Sequence, residues 1–185
     1  MAVNVDHNLL ELTLAAAKQD EETVRGGVPT AKLLDGMSFH ESVTHLDDRG
    51  SVTEIFDPRW NWHPEPMVFS YMFTIRPGVV KGWGLHKLHE DRYFVIEGEM
   101  ELVLFDPRAE SSTYGKICRV MLSGNRPRLV NVPNFVWHAD HNVGTVDVRV
   151  LNFPTIQYNH ASPDKYRLPL DTPLIPYDFG GLKGW

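Results

Sequence analysis

Cysteine is nearly absent from this sequence. Its 185 residues contain a single cysteine, Cys118, which excludes an internal disulfide bond and any metal cluster built from several cysteines. Cys118 lies in the apolar stretch 117–121, so we interpret it as a small core residue rather than a nucleophile. The chain also has no internal repeat and no low-complexity tract, which argues against a fibrous or disordered protein.

An excess of basic residues is lacking as well. Eighteen lysines and arginines stand against 24 aspartates and glutamates, which gives a formal net charge of −6. Because nucleic acids and anionic membranes select for basic surfaces, we expect neither as a partner. An anionic small molecule would need cations that are gathered locally around its binding site.

Long apolar segments are missing too. The first apolar stretch, residues 9–17, has no basic residues leading into it and is too short to span a bilayer. We therefore predict no secretory signal, no membrane segment and a cytoplasmic location.

What remains predicts a short helix followed by one all-β domain. Residues 8–19 are rich in leucine and alanine, and Gly26-Gly27 ends that pattern, so 1–27 is predicted to be a helical extension and 28–185 a single domain. From Val28 onward, short runs of β-branched and aromatic residues alternate with turn residues, which is typical of a β-sandwich or barrel. The predicted strands are 51–56, 67–75, 93–96, 100–105, 117–122, 128–132 and 146–153. A glycine turn at 97–99 is predicted to join two of them as a hairpin, and the proline-containing C-terminal segment is predicted to be ordered by packing against the body.

Glycines and potential catalytic or ligand residues recur at fixed spacings in two groups. In chain order these are Gly78, Gly84, His86, Asp91 and Gly98, and then Pro133, His138 and Asn142. The arrangement resembles the two motifs of the cupins, with Gly84 in the place of the first histidine and Asp91 in the place of the glutamate. Period-two alternation along strands explains such spacing, because it sends chosen side chains from facing strands into one barrel lumen.

Within the cupins, the chain resembles the dTDP-4-dehydrorhamnose 3,5-epimerase family from residue 48 to about residue 171. The matching landmarks are Arg49-Gly50 with Glu54, Gly84-Leu85-His86, the segments 97–99 and 106–108, Val132-Pro133 with His138, and the tail from Tyr158 to Pro173. The resemblance implies a cupin jelly roll that forms a homodimer by exchanging strands. It also implies a cofactor-free isomerase of deoxysugar biosynthesis that acts on a nucleotide-linked 4-keto-6-deoxysugar.

The resemblance assigns roles to individual positions. His86 matches the family's general base, and Asp171 matches the aspartate that orients it. His138 matches a second lumen histidine, while Arg49 and Glu54 match residues that contact the nucleotide. A histidine that titrates near neutral pH is suited to removing the proton on the carbon beside a ketone.

Several family positions carry other residues in this chain. Asn152 stands where the family has its general-acid tyrosine, Trp83 where it has an arginine, and Asp91 where it has a lysine. Tyr71 and Phe73 replace two polar nucleotide contacts. The predicted substrate-binding residues are therefore Arg49, Glu54, Tyr71, Trp83, His138 and Asn152. Because an asparagine cannot deliver a proton, a single epimerisation, a ketone isomerisation or a changed substrate is favoured over double epimerisation.

Two other functions stay open at this level. His86, Asp91 and His138 together offer two imidazoles and one carboxylate, a ligand set that suits iron, manganese or zinc. A catalytically silent cupin that binds a sugar nucleotide is the third alternative. His89, which lies beside two acidic residues, is interpreted as a solvated turn residue.

Overall fold

The computed structural model describes residues 7–19, 24–25, 28–29 and 32–184. The chain divides into two compact units, Met1–Lys32 and Leu33–Trp185. In the first unit, helix α1 spans His7–Ala16, and strand β1 (Val24–Arg25) pairs with β2 (Val28–Pro29). Gly26 and Gly27, which were predicted to end the helical pattern, lie outside the described residues, and the predicted boundary at residue 27 stays a prediction. No helix among the described residues is long and apolar enough to cross a bilayer.

The second unit consists of antiparallel strands and one 3₁₀ turn at Pro58–Trp60. The strands are β3 (Phe39–Glu41), β4 (Thr44–Asp47), β5 (Gly50–Thr53), β6 (Tyr71–Ile75), β7 (Val80–Leu85), β8 (Asp91–Glu97), β9 (Glu99–Phe105), β10 (Ile117–Ser123), β11 (Arg128–Val132), β12 (Trp137–Asn142), β13 (Val148–Asn152) and β14 (Tyr166–Arg167). This content confirms the prediction of an all-β cupin jelly roll with a short N-terminal helix.

Ten of these strands form two five-stranded sheets. The first sheet has the order β10-β9-β12-β7-β14, and the second has the order β3-β11-β8-β13-β6. Among the described residues, strands β4 and β5 pair only with each other and form a separate hairpin. Consecutive strands therefore often lie in different sheets, as in a jelly roll.

Apolar side chains from both sheets meet in one core. The first sheet contributes Met100 and Leu102, and the second contributes Val130 and Val150, all of them fully buried. A second cluster lies on the other face of the first sheet, where Ile175 and Phe179 of the C-terminal segment cover Val103 and its neighbours. This packing confirms that the C-terminal segment is ordered by contact with the body.

The predicted hairpin at 97–99 is wrong. Gly98 does connect β8 to β9, but β8 pairs with β11 and β13, whereas β9 pairs with β10 and β12. Gly98 is therefore a corner at which the chain passes from the second sheet to the first. Its φ is +80°, and a Cβ there would lie 2.9 Å from the carbonyl oxygen of Asp147.

This corner leads to a first prediction. Gly98→Ala is expected to destabilise the protein more than Gly115→Ala. Both glycines have positive φ, which costs an alanine about 1–2 kcal/mol, but no atom lies within 4 Å of a Cβ at Gly115. The clash at Gly98 should increase the loss in the free energy of unfolding by a further amount of about 1–3 kcal/mol, as measured by urea unfolding, which is the usual cost of overpacking. Equal losses in the free energy of unfolding of the two variants would contradict this account of the corner at Gly98.

Candidate functional site

Two connected cavities open near the ends of β6, β7 and β14. The inner chamber has a volume of about 210 Å³, and the outer chamber has a volume of about 560 Å³. Four residues line both chambers: Tyr71, His86, Lys165 and Arg167. The inner chamber is walled mainly by polar side chains from the two sheets, namely Lys81, His86, His138 and Asp140 from the first and Tyr71, Asp91 and Tyr93 from the second.

Asp91 lies in the wall of the inner chamber and is buried, with 1% of its surface exposed. Its Oδ2 lies 3.2 Å from His86 Nε2, 3.7 Å from His138 Nε2 and 3.1 Å from the Tyr93 hydroxyl, which donates to it. Its Oδ1 accepts a hydrogen bond of 2.7 Å from the Asn152 amide. Burial alone would raise the pKa of Asp91, but the hydrogen bonds from His86 and His89 outweigh burial and hold this pKa well below its ordinary value. Asp91 is thus a carboxylate at neutral pH.

His86 is oriented from both sides of its ring. Its Nδ1 donates to the carbonyl oxygen of Asp164, because a carbonyl can only accept, and this leaves Nε2 facing the Asp91 carboxylate. Burial acts to lower the pKa of His86, but the hydrogen bond and the charge of Asp91 raise it above its ordinary value. His86 is therefore a strengthened base whose protonated form is stabilised by Asp91.

The predicted pairing of His86 with Asp171 is not found. Asp171 is exposed and lines a separate surface hollow with Pro169 and Asp178, while both ring nitrogens of His86 face other groups. The segment that reaches His86 comes just before β14, whose Tyr166 pairs with Leu85. Asp164 therefore supplies the carbonyl, and its carboxylate binds the backbone N–H groups of residues 87 and 88.

His138 lies in the inner chamber, where the resemblance had placed a lumen histidine, and its role stays a prediction. Its Nδ1 donates to the carbonyl of Val136 at 3.2 Å, which leaves Nε2 without a proton when the ring is neutral. Burial, together with the neighbouring His86, lowers the pKa of His138 to about 4. Gly84 leaves room for this ring, since a Cβ there would lie 3.3 Å from His138 Nε2.

Three other predicted binding residues do not direct their side chains into the chambers. Trp83 lies in the wall of the inner chamber, but its ring is fully buried against Tyr177 and Phe179, because Gly84 faces His138 and its neighbour on the strand points to the opposite face of the first sheet. Arg49 and Glu54 are exposed at the β4–β5 hairpin and line neither chamber.

Asn152 and Tyr71 are brought together by the sheet. Asn152 is fully buried, so it reaches the chamber through hydrogen bonds to Asp91 and Tyr71 rather than by touching open space. Tyr71 lines both chambers and is the predicted binding residue that is most open to a substrate.

The sequence interpretation missed four acidic or basic groups, Asp140, Asp164, Lys165 and Arg167, and misplaced one histidine. His89 is buried rather than solvated, and its ring contacts Asp164 at 2.9 Å and Asp91 at 3.6 Å. Asp140 and Lys165 line the inner chamber. Asp140 could have been found from alternation, because it lies two residues after His138 on β12; nothing local marks Lys165.

Asp140 is a buried carboxyl group that is a weaker acid than an ordinary aspartate. Its Oδ1 has no hydrogen-bond partner among the described residues. Burial and then the negative charge of Asp91 raise the pKa of Asp140 to about 7. In the folded protein its proton is therefore retained far above the pH at which an unfolded chain would lose it.

Asp140→Asn should change how stability depends on pH. Between about pH 4 and pH 7 the native wild type binds this proton and the unfolded chain does not, so the free energy of unfolding falls as pH rises, by up to about 4 kcal/mol. An asparagine cannot ionise, so the variant should gain Tm relative to wild type between pH 5 and pH 8. The exposed Asp147→Asn serves as the control. A difference in Tm that does not vary with pH would contradict the burial of a titrating Asp140.

Known proteins resemble this chain in both sequence and structure. The probable low-salt glycan biosynthesis epimerase Agl13 of Haloferax volcanii is 29% identical over 136 residues, which cover 73% of this chain and 87% of that protein. The spore coat polysaccharide biosynthesis protein SpsL of Bacillus subtilis is 28% identical over 149 residues, covering 80% and 97%.

Solved structures share the fold. A dTDP sugar isomerase from Desulfovibrio desulfuricans superposes with a TM-score of 0.73 at 27% identity, covering 82% of this chain and 96% of that one. A dTDP-6-deoxy-D-glucose-3,5-epimerase from Legionella pneumophila gives a TM-score of 0.69 at 21% identity, with 80% of each chain covered. The family model described as the polysaccharide biosynthesis C-terminal domain matches residues 45–166. The chain therefore belongs to the polysaccharide biosynthesis C-terminal domain family.

Proposed function

We propose that this protein is an epimerase or isomerase that removes the proton beside the ketone of a nucleotide-linked 4-keto-6-deoxysugar. The observation that carries the proposal is the environment of His86. A carbonyl fixes the proton on Nδ1, a buried carboxylate faces Nε2, and the ring borders a cavity between two sheets. The kinship with a sugar epimerase and a sugar-nucleotide isomerase supports the same chemistry.

The chemistry follows from the charges around His86. A neutral imidazole takes the α-proton on Nε2, and the resulting imidazolium lies against the negative charge of Asp91. General-base assistance of this kind contributes about a hundred- to ten-thousandfold in rate. Lys81 and Lys165, which line the inner chamber, supply positive charge for the oxygen of the enolate.

The two chambers also fit a sugar nucleotide. The inner chamber is small and polar, as a hexose ring requires, and the outer chamber is larger and includes the aromatic rings of Phe69 and Tyr158. Arg167 and Lys165 lie where the chambers meet. They provide, within an acidic protein, the local cations that a diphosphate needs.

His86→Gln tests this proposal. The protein is incubated with dTDP-4-keto-6-deoxyglucose in heavy water, and proton NMR follows the signals at carbons 3 and 5. Wild type is expected to lose one or both signals, and His86→Gln is expected to slow that loss at least about a hundredfold. His141→Gln is the matched control, since His141 lies on β12, the neighbour of β7 in the first sheet, and packs beside Phe179 outside the chambers.

Two outcomes would contradict the proposal. Exchange at the wild-type rate in His86→Gln would remove His86 from the chemistry. Binding of the sugar nucleotide without exchange at either carbon would instead favour a catalytically silent binding protein.

A metal-dependent enzyme is the second candidate. One ligand atom each from His86, Asp91 and His138 lies within 4.8 Å of the others, and all three residues are buried. The neutral His138, with Nε2 turned to Asp91 and space left by Gly84, fits a divalent ion such as iron, manganese or zinc. Such an ion would supply a Lewis acid for a substrate oxygen. Elemental analysis of the purified protein, and exchange that is lost on chelation and restored by one ion, would favour this candidate over proton abstraction by a free His86.

We further propose that the protein is a homodimer. The β4–β5 hairpin pairs with neither large sheet, and its apolar side chains are open to solvent: Leu46 is 82% exposed and Val52 is 67% exposed. An isolated two-stranded hairpin is marginally stable in water, so a second copy that covers it would stabilise it. Arg49 and Glu54 lie at this hairpin, where they could contact a nucleotide held by the partner.

Leu46→Asp should therefore weaken the dimer. Wild type is expected to elute with twice the chain mass in size-exclusion chromatography with light scattering, and the variant is expected to shift towards the monomer. Leu174→Asp, which changes a leucine of the C-terminal segment that is 70% exposed, is the control. A monomeric wild type, or a variant that remains fully dimeric, would contradict this use of the hairpin.

A further inference from the structure

Asn152 is held by three hydrogen bonds that fix the direction of its amide. Its Oδ1 accepts from the backbone N–H of Arg92 at 3.0 Å, and a backbone N–H can only donate. Its Nδ2 therefore faces Asp91 at 2.7 Å and the Tyr71 hydroxyl at 2.9 Å. Both amide hydrogens are used, one on each of these oxygens.

This direction decides what Tyr71 can do. Because Tyr71 Oη accepts a hydrogen bond from Asn152, the hydrogen of the Tyr71 hydroxyl points away from Asn152. Among the residues that the structure describes, none accepts a hydrogen bond from Tyr71 Oη. Tyr93 differs, because it is buried and its hydroxyl donates a hydrogen bond to Asp91. Of these two tyrosines in the inner chamber, Tyr71 is the one whose proton faces open volume.

The place of Tyr71 in the fold adds a stereochemical argument. Tyr71 lies on β6 of the second sheet, whereas His86 directly follows β7 of the first sheet. Both line the inner and the outer chamber, so a sugar ring between the sheets would have one of them on each side. Inversion at a carbon needs a base on one face and a proton donor on the other.

We propose that Tyr71 is the proton donor that completes inversion at the carbon deprotonated by His86, and that Asn152 is its positioning residue. This inference rests on the proposed epimerase function. Tyr71 and Asn152 are direct cross-strand partners in the β6–β13 register, so the hydroxyl of Tyr71 lies one strand away from Asn152, the position at which the sequence resemblance leads us to expect a tyrosine. Burial and the charge of Asp91 raise the pKa of Tyr71, which keeps the phenol protonated at neutral pH.

The step balances in protons and electrons. The C–H bond breaks on the face of His86, its proton goes to Nε2, and its electron pair forms the enolate. The Tyr71 O–H bond then breaks, its proton goes to the opposite face of the same carbon, and the ketone is restored. The imidazolium and the phenolate exchange protons with solvent, so no proton is gained or lost over the cycle.

Tyr71→Phe tests the inference, because it removes only the hydroxyl and keeps the ring beside Phe69 and Phe73. The variant and wild type are incubated with dTDP-4-keto-6-deoxyglucose in heavy water. Proton NMR follows exchange and the formation of epimer at the same carbon. Exchange should continue, with deuterium returned to the original face by His86, while epimer formation should fall about a hundredfold or more. Tyr114→Phe, on an exposed loop, should match wild type in both readouts.

Each other outcome overturns the inference in a distinct way. Epimer formation at the wild-type rate in Tyr71→Phe means that another group delivers the proton, and the epimerase function survives. Exchange and epimer formation that fall equally mean that Tyr71 binds substrate or stabilises the enolate. A wild type that shows no exchange overturns the proposed function and this inference together. Circular dichroism of each variant separates these results from a loss of folding.

Discussion

The arrangement of the site depends on one constraint, which is that the negatively charged carboxylate of Asp91 is buried away from water. A carboxylate buried without partners costs several kcal/mol, so the surrounding strands must supply donors. They do so from both sheets, and every donor that meets this carboxylate is a side chain with chemistry of its own. The groups are His86 and His89 from one side and Tyr93 and Asn152 from the other. Satisfying one buried charge therefore also orients the groups that can move protons.

The same constraint separates the acid–base properties of the chamber. The negative charge of Asp91 raises the pKa of His86 and also contributes to raising that of Asp140, whereas burial dominates at His138 and lowers its pKa. Neighbouring groups with pKa values pushed in opposite directions are what a site needs to hold an acid and a base at one pH. The single carboxylate of Asp91 thus affects several groups of the chamber rather than one contact.

Much of the fold was predictable because strand formation is local. The segment 128–132 is a strand within its predicted bounds, and 117–122 needs one further residue, since alternating apolar residues mark a half-buried strand wherever its partners lie. Gly98 shows the limit of this reasoning. A glycine between two strands looks the same in a hairpin and at a corner between sheets, and the distinction rests on β11, β13, β10 and β12, which are distant in sequence.

The sequence by itself determined the strand-rich fold, the family and the placement of His86 and His138 facing one lumen, because spacing along a strand decides which side a residue faces. Only the tertiary structure decided which groups meet them. Asp164 rather than Asp171 reaches His86 because β14 pairs beside Leu85, and Tyr71 meets Asn152 through cross-strand register. These contacts join residues about 80 positions apart. Such contacts are set by how whole sheets pair and pack, which no local pattern encodes.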